Sequence, residues 1–272
     1  MRGASRASLA QASKQLATVA TTKAVADQVG TELFSVATLL DHEHGLRRAL
    51  SDPSREAAAK AALVRTLLTG KVSAETIELT ATLVSGRWST ARDLADAAEE
   101  LGAESVVISA DRSRKLDDLE DDIFRFGRVV DANPDLRAAL TNPFLPAERK
   151  QGLIGALLDG KVTPEAAQLI TQAAVAPRGR NLETALEAYA KLAAQRRERL
   201  VAVVHSATAL DQQQQDRLSA ALAAIYGHDV ILNIVLDPQV MGGLSIQVGD
   251  EFIDASVASR LAALRRRLTR GT

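Results

Sequence analysis

The sequence predicts a mainly α-helical protein, in which two related N-terminal helical bundles precede a small α+β domain. Three observations predict it. The chain repeats itself at an offset of 90 residues, the repeat carries apolar residues at helical spacing, and beyond Arg199 the pattern changes to short runs rich in Val and Ile.

The first element is a helix with Leu9, Leu16 and Val19 beside Ala12 and Ala20 on one stripe. The same stretch is rich in Arg, Ser and Ala before the first acidic residue, Asp27, so a targeting segment over residues 1–23 stands as a second reading. The repeat follows. Phe34, Asp41, Leu46-Arg47, Ala49-Leu50 and Pro53 return as Phe124, Asp131, Leu136-Arg137, Ala139-Leu140 and Pro143. Without a gap, Lys60, Leu63, Leu67-Leu68, Gly70-Lys71-Val72 and Glu75 return as Lys150, Leu153, Leu157-Leu158, Gly160-Lys161-Val162 and Glu165. Val106 to Ala110 echoes Val203 to Ala207 at the longer offset of 97. A period this long fits a duplicated domain rather than a solenoid.

Within each copy, Leu39, Leu40, Leu46 and Leu50, and likewise Val129, Val130, Leu136 and Leu140, sit among charged positions as helix faces do. Pro53 and Pro143 each stop one helix and allow the next to begin. Gly70 and Gly160 stand where a helix ends in a left-handed residue, and Ser73 and Thr163 follow as N-caps, with Pro164 in the first turn. Long helices are expected over 87–101 and 181–199, the latter with Leu182, Leu186, Tyr189 and Leu192 on one face. The C-terminal unit reads as strand (200–206), helix (210–226), strand (230–236), strand (244–248) and a final helix. The expected domains are 1–110, 111–199 and 200–272.

Composition excludes several classes. Lys plus Arg number 33 against 34 Asp plus Glu, which argues against a dedicated nucleic-acid binder. Absence of Cys removes disulfides, thiolate metal sites and Cys nucleophiles together. No apolar run approaches the roughly 18 residues of a membrane span, so any membrane association would go through a partner.

Local signals for chemistry fail on spacing. Gly155-x-x-x-x-Gly160-Lys161 imitates a phosphate loop, but Val162 stands where a magnesium-binding Ser or Thr belongs, and the preceding segment is helical. Gly243 to Gly249 lacks the middle glycine of a dinucleotide fingerprint. His42-Glu43-His44 puts its imidazoles two residues apart, off a common helix face, with no third ligand near. His205 and Ser206 are strand neighbours that face opposite sides. Arg265, Arg266, Arg267 and Arg270 suit a helix C-terminus. No catalytic residue, metal ligand or cofactor site is expected.

The C-terminal stretch is the most distinctive. Asp237-Pro238 suits a turn, Gly242-Gly243 opens an alternating apolar run, and Gly249 closes it. Asp254, Ser256, Arg260, Leu261, Leu264 and Leu268 follow, with Val257, Leu261, Leu264 and Leu268 forming a helical stripe. This order resembles the C-terminal signature of the delta subunit of F-type ATP synthases, the oligomycin-sensitivity-conferring protein family. Arg178-Gly179-Arg180-Asn181-Leu182 resembles the Arg-rich step before the last helix of that family's N-terminal domain, and Val203 to Ala207 with Leu210 resembles the entry to its C-terminal domain. Residues 113–272 resemble a whole delta subunit. The preceding 110 or so look like an extra copy of the helical domain, as in the long subunits of high-GC Gram-positive bacteria.

The resemblance implies a non-catalytic stator subunit of the proton-translocating synthase. It would bind the N-terminal helices of alpha subunits through the helical part and the C-terminus of the b subunit through the α+β part. It implies a peripheral place on the cytoplasmic face of the bacterial membrane. Asp237, Gly242, Gly243, Gly249, Asp254, Ser256, Arg260, Leu261 and Leu264 are the candidate signature and partner-binding residues. A stand-alone helical adaptor is the alternative, and it leaves the C-terminal signature without a reason.

Overall fold

The structure is a computed structural model describing residues 1, 3–198, 201–226, 230–237, 243–248 and 251–254, the last four by backbone alone. It divides into two compact units, Met1–Ala193 and Ala194–Thr272.

The first unit is all helix: α1 (Gly3–Val19), α2 (Lys23–His42), α3 (His44–Ser51), α4 (Ala57–Leu68), α5 (Ala74–Ser85), α6 (Ala91–Arg112), α7 (Leu116–Ala132), α8 (Pro134–Thr141), α9 (Ala147–Leu158), α10 (Pro164–Val175) and α11 (Leu182–Glu198). The α3, α4 and α5 boundaries recur as α8, α9 and α10 at the offset read from the sequence. Their stop and start signals recur too. Gly70 and Gly160 take left-handed φ of +76° and +64°, where a Cβ would be strained. Ser73 and Thr163 accept from the backbone N–H of Thr76 and Ala166, closing the first turns of α5 and α10. Asp52 and Asn142 each accept from the backbone N–H two residues on, at 2.9 Å, turning the chain between α3 and α4 and between α8 and α9.

One repeated contact was invisible in the sequence. Glu32 on α2 accepts from Ser73 N at 2.9 Å, and Asp122 on α7 accepts from Thr163 N at 2.7 Å. The carboxylate differs by a methylene, yet in each copy it supplies a negative charge at a helix N-terminus 41 residues away.

The long helix α6 departs from expectation. It runs from Ala91 to Arg112 rather than over 87–101, and almost every residue from Leu94 to Ala110 is buried. The stripe left open is Asp96, Glu100 and Glu104, one acidic residue per turn, and the small and apolar residues around it are covered. The helix packs as the closing helix of the first copy, against α1, α2, α3 and α5, and as the opening helix of the second, against α7 and α10. The two copies thus share a helix, and the expected boundary at 110/111 falls near its C-terminal end. Val106 to Ala110 lies inside it, whereas Val203 to Ser206 is strand, so that echo is one of letters and not of structure. The β-branched run is tolerated in α6 because its side chains are packed on every side.

The tightest crossing is between α2 and α6. A Cβ on Gly30 would lie 2.8 Å from Val106 Cγ2 and 3.2 Å from the Gly102 carbonyl; one on Gly102 would lie 3.0 Å from the Phe34 ring. Ser105 Oγ donates to the Ala26 carbonyl across the seam at 2.8 Å. Ala12 and Leu16 of α1 and Ala20 just after it are buried as the apolar stripe implied, with Leu9 and Val19 packed beside them. In the paired positions only one member faces inward: Leu40 and Val130 are buried, Leu39 and Val129 exposed.

The second unit is a four-stranded sheet, β1 (Val201–Ser206), β2 (Ile231–Leu236), β3 (Leu244–Val248) and β4 (Glu251–Asp254), with α12 (Gln212–Tyr226) between the first two strands. Strand order is β2-β1-β3-β4; β1 runs parallel to β2 and antiparallel to β3, which runs antiparallel to β4. The three expected strands and the helix are present, and β4 is an addition that the sequence reading missed, since Glu251 to Asp254 offers four residues and no clear alternation. The expected final helix lies outside the described residues. Ala202, Val204, Ile246 and Val248 pack with Leu222 of α12 in this unit's own core.

Candidate partner-binding surfaces

Of the signature residues, the structure describes three. Asp237 follows the last residue of β2; its backbone N–H donates to the Ser206 carbonyl at 2.9 Å and its carboxylate lies 3.9 Å from His205 Nδ1. Gly243, at φ +86°, turns the chain into β3, a conformation closed to most side chains. Asp254 is the last residue of β4 and sits across from Ser245. The three therefore stand along one sheet, near the β1–β2 and β3–β4 ends. Gly242, Gly249, Ser256, Arg260, Leu261 and Leu264 lie outside the described residues, so the structure does not bring the nine together.

His205 and Ser206 point to opposite faces, as strand neighbours do. Ser206 is buried toward α12 and donates to the Thr208 carbonyl, while His205 is half-buried on the other face. That second face also carries exposed Val235 and Gln247. His42 ends α2 and His44 opens α3, with Glu43 between them at the junction. His42 Nδ1 lies 2.8 Å from the Thr38 carbonyl, the C-terminal hydrogen bond of a helix end.

The most developed polar site joins the two helical copies. Arg178 takes a left-handed φ of +53° and is almost fully buried. Its Nε donates to Asp41 on α2 at 2.5 Å, and its Nη1 donates to the Ala95 carbonyl at 2.9 Å and to Glu99 at 3.1 Å, both on α6. Arg180 and the Tyr189 hydroxyl also donate to Glu99, the latter at 2.7 Å. Burial works to lower the Arg178 pKa, but the surrounding carboxylates outweigh it and hold the guanidinium more firmly charged. Asp96 lies at 3.8 Å; burial pushes its carboxyl above the usual range despite the nearby guanidinium groups.

A second polar cluster pins the start of α10. Glu165, buried, accepts from Lys23 of α2 and from Ser109 of α6, and Gln168 donates to Thr31 at 2.9 Å. Sequence reading singled out Arg178-Gly179-Arg180 but missed Glu99 and Glu165. Each looks like an ordinary acidic residue on a solvated helix face, and only tertiary packing buries it.

Between α2 on one side and α9 and α10 on the other runs a groove of about 1220 Å³, lined by Phe34, Thr38, Gln151, Gln168, Thr171 and Val175 among others. A smaller groove of about 190 Å³ lies over Gln11 of α1, Ala61 and Arg65 of α4, and Thr82 and Ser85 of α5. Among the described residues no group of His, Cys, Asp and Glu is arranged to hold a metal ion, and no helix is long and apolar enough to cross a membrane.

The family model described as ATP synthase delta (OSCP) subunit matches this chain twice, over residues 10–109 and 102–268. The two matches overlap in α6, the helix both copies share. ATP synthase subunit delta of Streptomyces griseus subsp. griseus is 46% identical over 269 residues, which covers 98% of this chain and 99% of that protein. The corresponding proteins of Thermobifida fusca and Acidothermus cellulolyticus are 45% and 44% identical, each match covering 98% of this chain and 99% of the relative. The whole duplicated length is therefore common to these relatives. A chain in the solved Toxoplasma gondii mitochondrial ATP synthase hexamer is similar at 20% identity, covering 61% of this chain and 94% of its own, with a TM-score of 0.28, too remote to carry an argument.

Proposed function

From the premise that the chain belongs to the ATP synthase delta (OSCP) subunit family, we propose that it is a non-catalytic stator subunit of a proton-translocating F-type synthase. The observation that carries this reading is the pair of family matches, one for each helical copy, the second running on through the α+β unit. The helical part, as copies 1–110 and 111–199, holds alpha-subunit N-terminal helices of the catalytic head. The α+β part, 200–272, holds the C-terminus of the b subunit. The complex works at the cytoplasmic face of the bacterial membrane.

Stiffness and binding energy are the whole mechanism. A shared helix and two buried polar clusters oppose relative motion of the copies under torque, and no general base or cofactor enters. Among the signature residues, Asp237 and Gly243 shape the sheet. Asp254, Ser256, Arg260, Leu261 and Leu264 belong to the segment that meets the b helix.

The test is a titration of the purified chain against two peptides from the same synthase, the alpha N-terminus and the b C-terminus. Saturable binding of both is expected, with truncation after residue 199 abolishing the b contact alone. Binding of neither overturns the proposal.

A further inference from the structure

The two copies keep a lysine at the same place and use it differently. Lys60 and Lys150 are each the fourth residue of their helices, α4 and α9, and each is buried, at 4% and 5% exposure. Lys150 donates to the Ala174 carbonyl near the end of α10 at 3.3 Å. Lys60 has no hydrogen bond or ion pair among the described residues. Burial pushes its pKa below the ordinary 10.5, with only the Asp52 carboxylate working against that. A buried charge without a partner is costly.

Lys60 lines a pocket of about 220 Å³ together with Ala49 of α3, Arg55 and Glu56 of the turn, and Ala59 and Leu63 of α4. Side chains of a helix lean toward its N-terminus, which sets Lys60 beside the start of α4. That start is open. Glu56, the N-cap, makes no side-chain hydrogen bond to the helix, and the first turn holds no acidic residue. Nothing among the described residues accepts from the backbone N–H groups of Ala57, Ala58 and Ala59. Unpaired N–H groups and the helix dipole together favour an anion at such a place.

The second copy has closed the same place. Glu148 stands in the first turn of α9 where Ala58 stands in α4, Leu145 replaces Arg55, and Lys150 is held by a carbonyl.

We infer that the turn between α3 and α4 is a binding site for a small oxyanion, a phosphate or a carboxylate group, held by Lys60, Arg55 and the first N–H groups of α4. The anion gives Lys60 the partner that its burial otherwise denies it. Two carboxylates border the site. Asp52 accepts from Ser54 N at 2.9 Å and from Ser54 Oγ at 2.6 Å and lies 3.9 Å from Arg55, while Glu56 is exposed. They limit affinity, so binding at roughly 1 mM is expected. The site exists in the first copy alone and stands whether or not the stator reading does.

The experiment titrates the full chain with inorganic phosphate at constant ionic strength and reads binding by calorimetry, with acetate in a parallel arm. Saturable binding at one site per chain is expected. Phosphate tighter than acetate assigns the site to phosphate groups, and the reverse order assigns it to carboxylates. Lys60→Met should weaken the anion roughly tenfold, the loss of one charged hydrogen bond. That variant exchanges a buried ammonium for an apolar chain of similar length and so keeps the fold, which circular dichroism verifies. Arg55→Ala, at an exposed position, should weaken binding too, and Lys150→Met should leave it unchanged. Phosphate should raise the thermal midpoint of the natural chain and not that of Lys60→Met. Absence of saturable binding to both anions overturns the site. So does binding that survives Lys60→Met unchanged, or that is lost with Lys150→Met instead.

Discussion

Arg178 holds a left-handed backbone that costs a residue with a Cβ about 1–2 kcal/mol. It persists because Asp41, Ala95 and Glu99 fix the guanidinium from two helices. Replacing Arg178 with Ala removes the buried donor shared by Asp41, the Ala95 carbonyl and Glu99, and leaves Glu99 to Arg180 and Tyr189, so a loss of about 1–3 kcal/mol in urea unfolding is expected. Lys at that position should recover only part of it, because an ammonium cannot reproduce the planar fork. The acid limb of stability tests both clusters. Burial works to raise the Glu165 carboxyl, but Lys23 and Ser109 outweigh it and hold it below its ordinary 4.5. Asp41 is likewise held below 3.8, with Arg178 and Arg47 overcoming burial. A folded pKa below the unfolded one stabilises above the unfolded value and is lost as pH falls through the folded value. Asp96, raised by burial, contributes the opposite slope. The urea midpoint should therefore hold steady toward neutral pH and fall below about pH 4.5, and Glu165→Gln should flatten that fall. An unchanged pH profile in this variant would remove Glu165 from the account. The Arg-Gly-Arg step was legible in the sequence, whereas its acceptors were not, because a carboxylate's burial depends on which helix lies over it.

The crossing of α2 on α6 decides how the helical elements assemble. Helix propensity alone would favour Ala over Gly by about 1 kcal/mol. At Gly30 the added methyl would meet Val106 at 2.8 Å and backbone at 3.2 Å. Gly30→Ala should therefore destabilise, by about 1–3 kcal/mol from overpacking, measured as a lower thermal midpoint. A stabilised variant would mean that the helices separate freely. The caps and left-handed glycines of the elements were readable because they act within a few residues. The extent of α6 was misread because from Ser105 to Ala110 six consecutive residues are buried, which leaves no amphipathic period over its C-terminal turns. β4 was missed because four residues carry too little alternation.

Sharing α6 makes the two copies one cooperative body. A fragment ending at Ala193 should unfold in a single calorimetric transition whose van't Hoff and calorimetric enthalpies agree. Two separate transitions would mean that the copies are independent domains joined by a long helix. The second unit has its own core of Ala202, Val204, Leu222, Ile246 and Val248, and its removal should leave the helical fragment's transition intact.

The sequence by itself determined the duplication, the order of helices, the change to strands beyond Arg199 and the family. Each is written in local periodicity, in caps or in a spacing that survives as letters. Only the tertiary structure decided that the copies share a helix and that Glu99 and Glu165 are buried ion partners. Those facts depend on surfaces that meet from distant parts of the chain, 56 to 142 residues apart at Glu165, and packing at that distance leaves no period in the sequence to read.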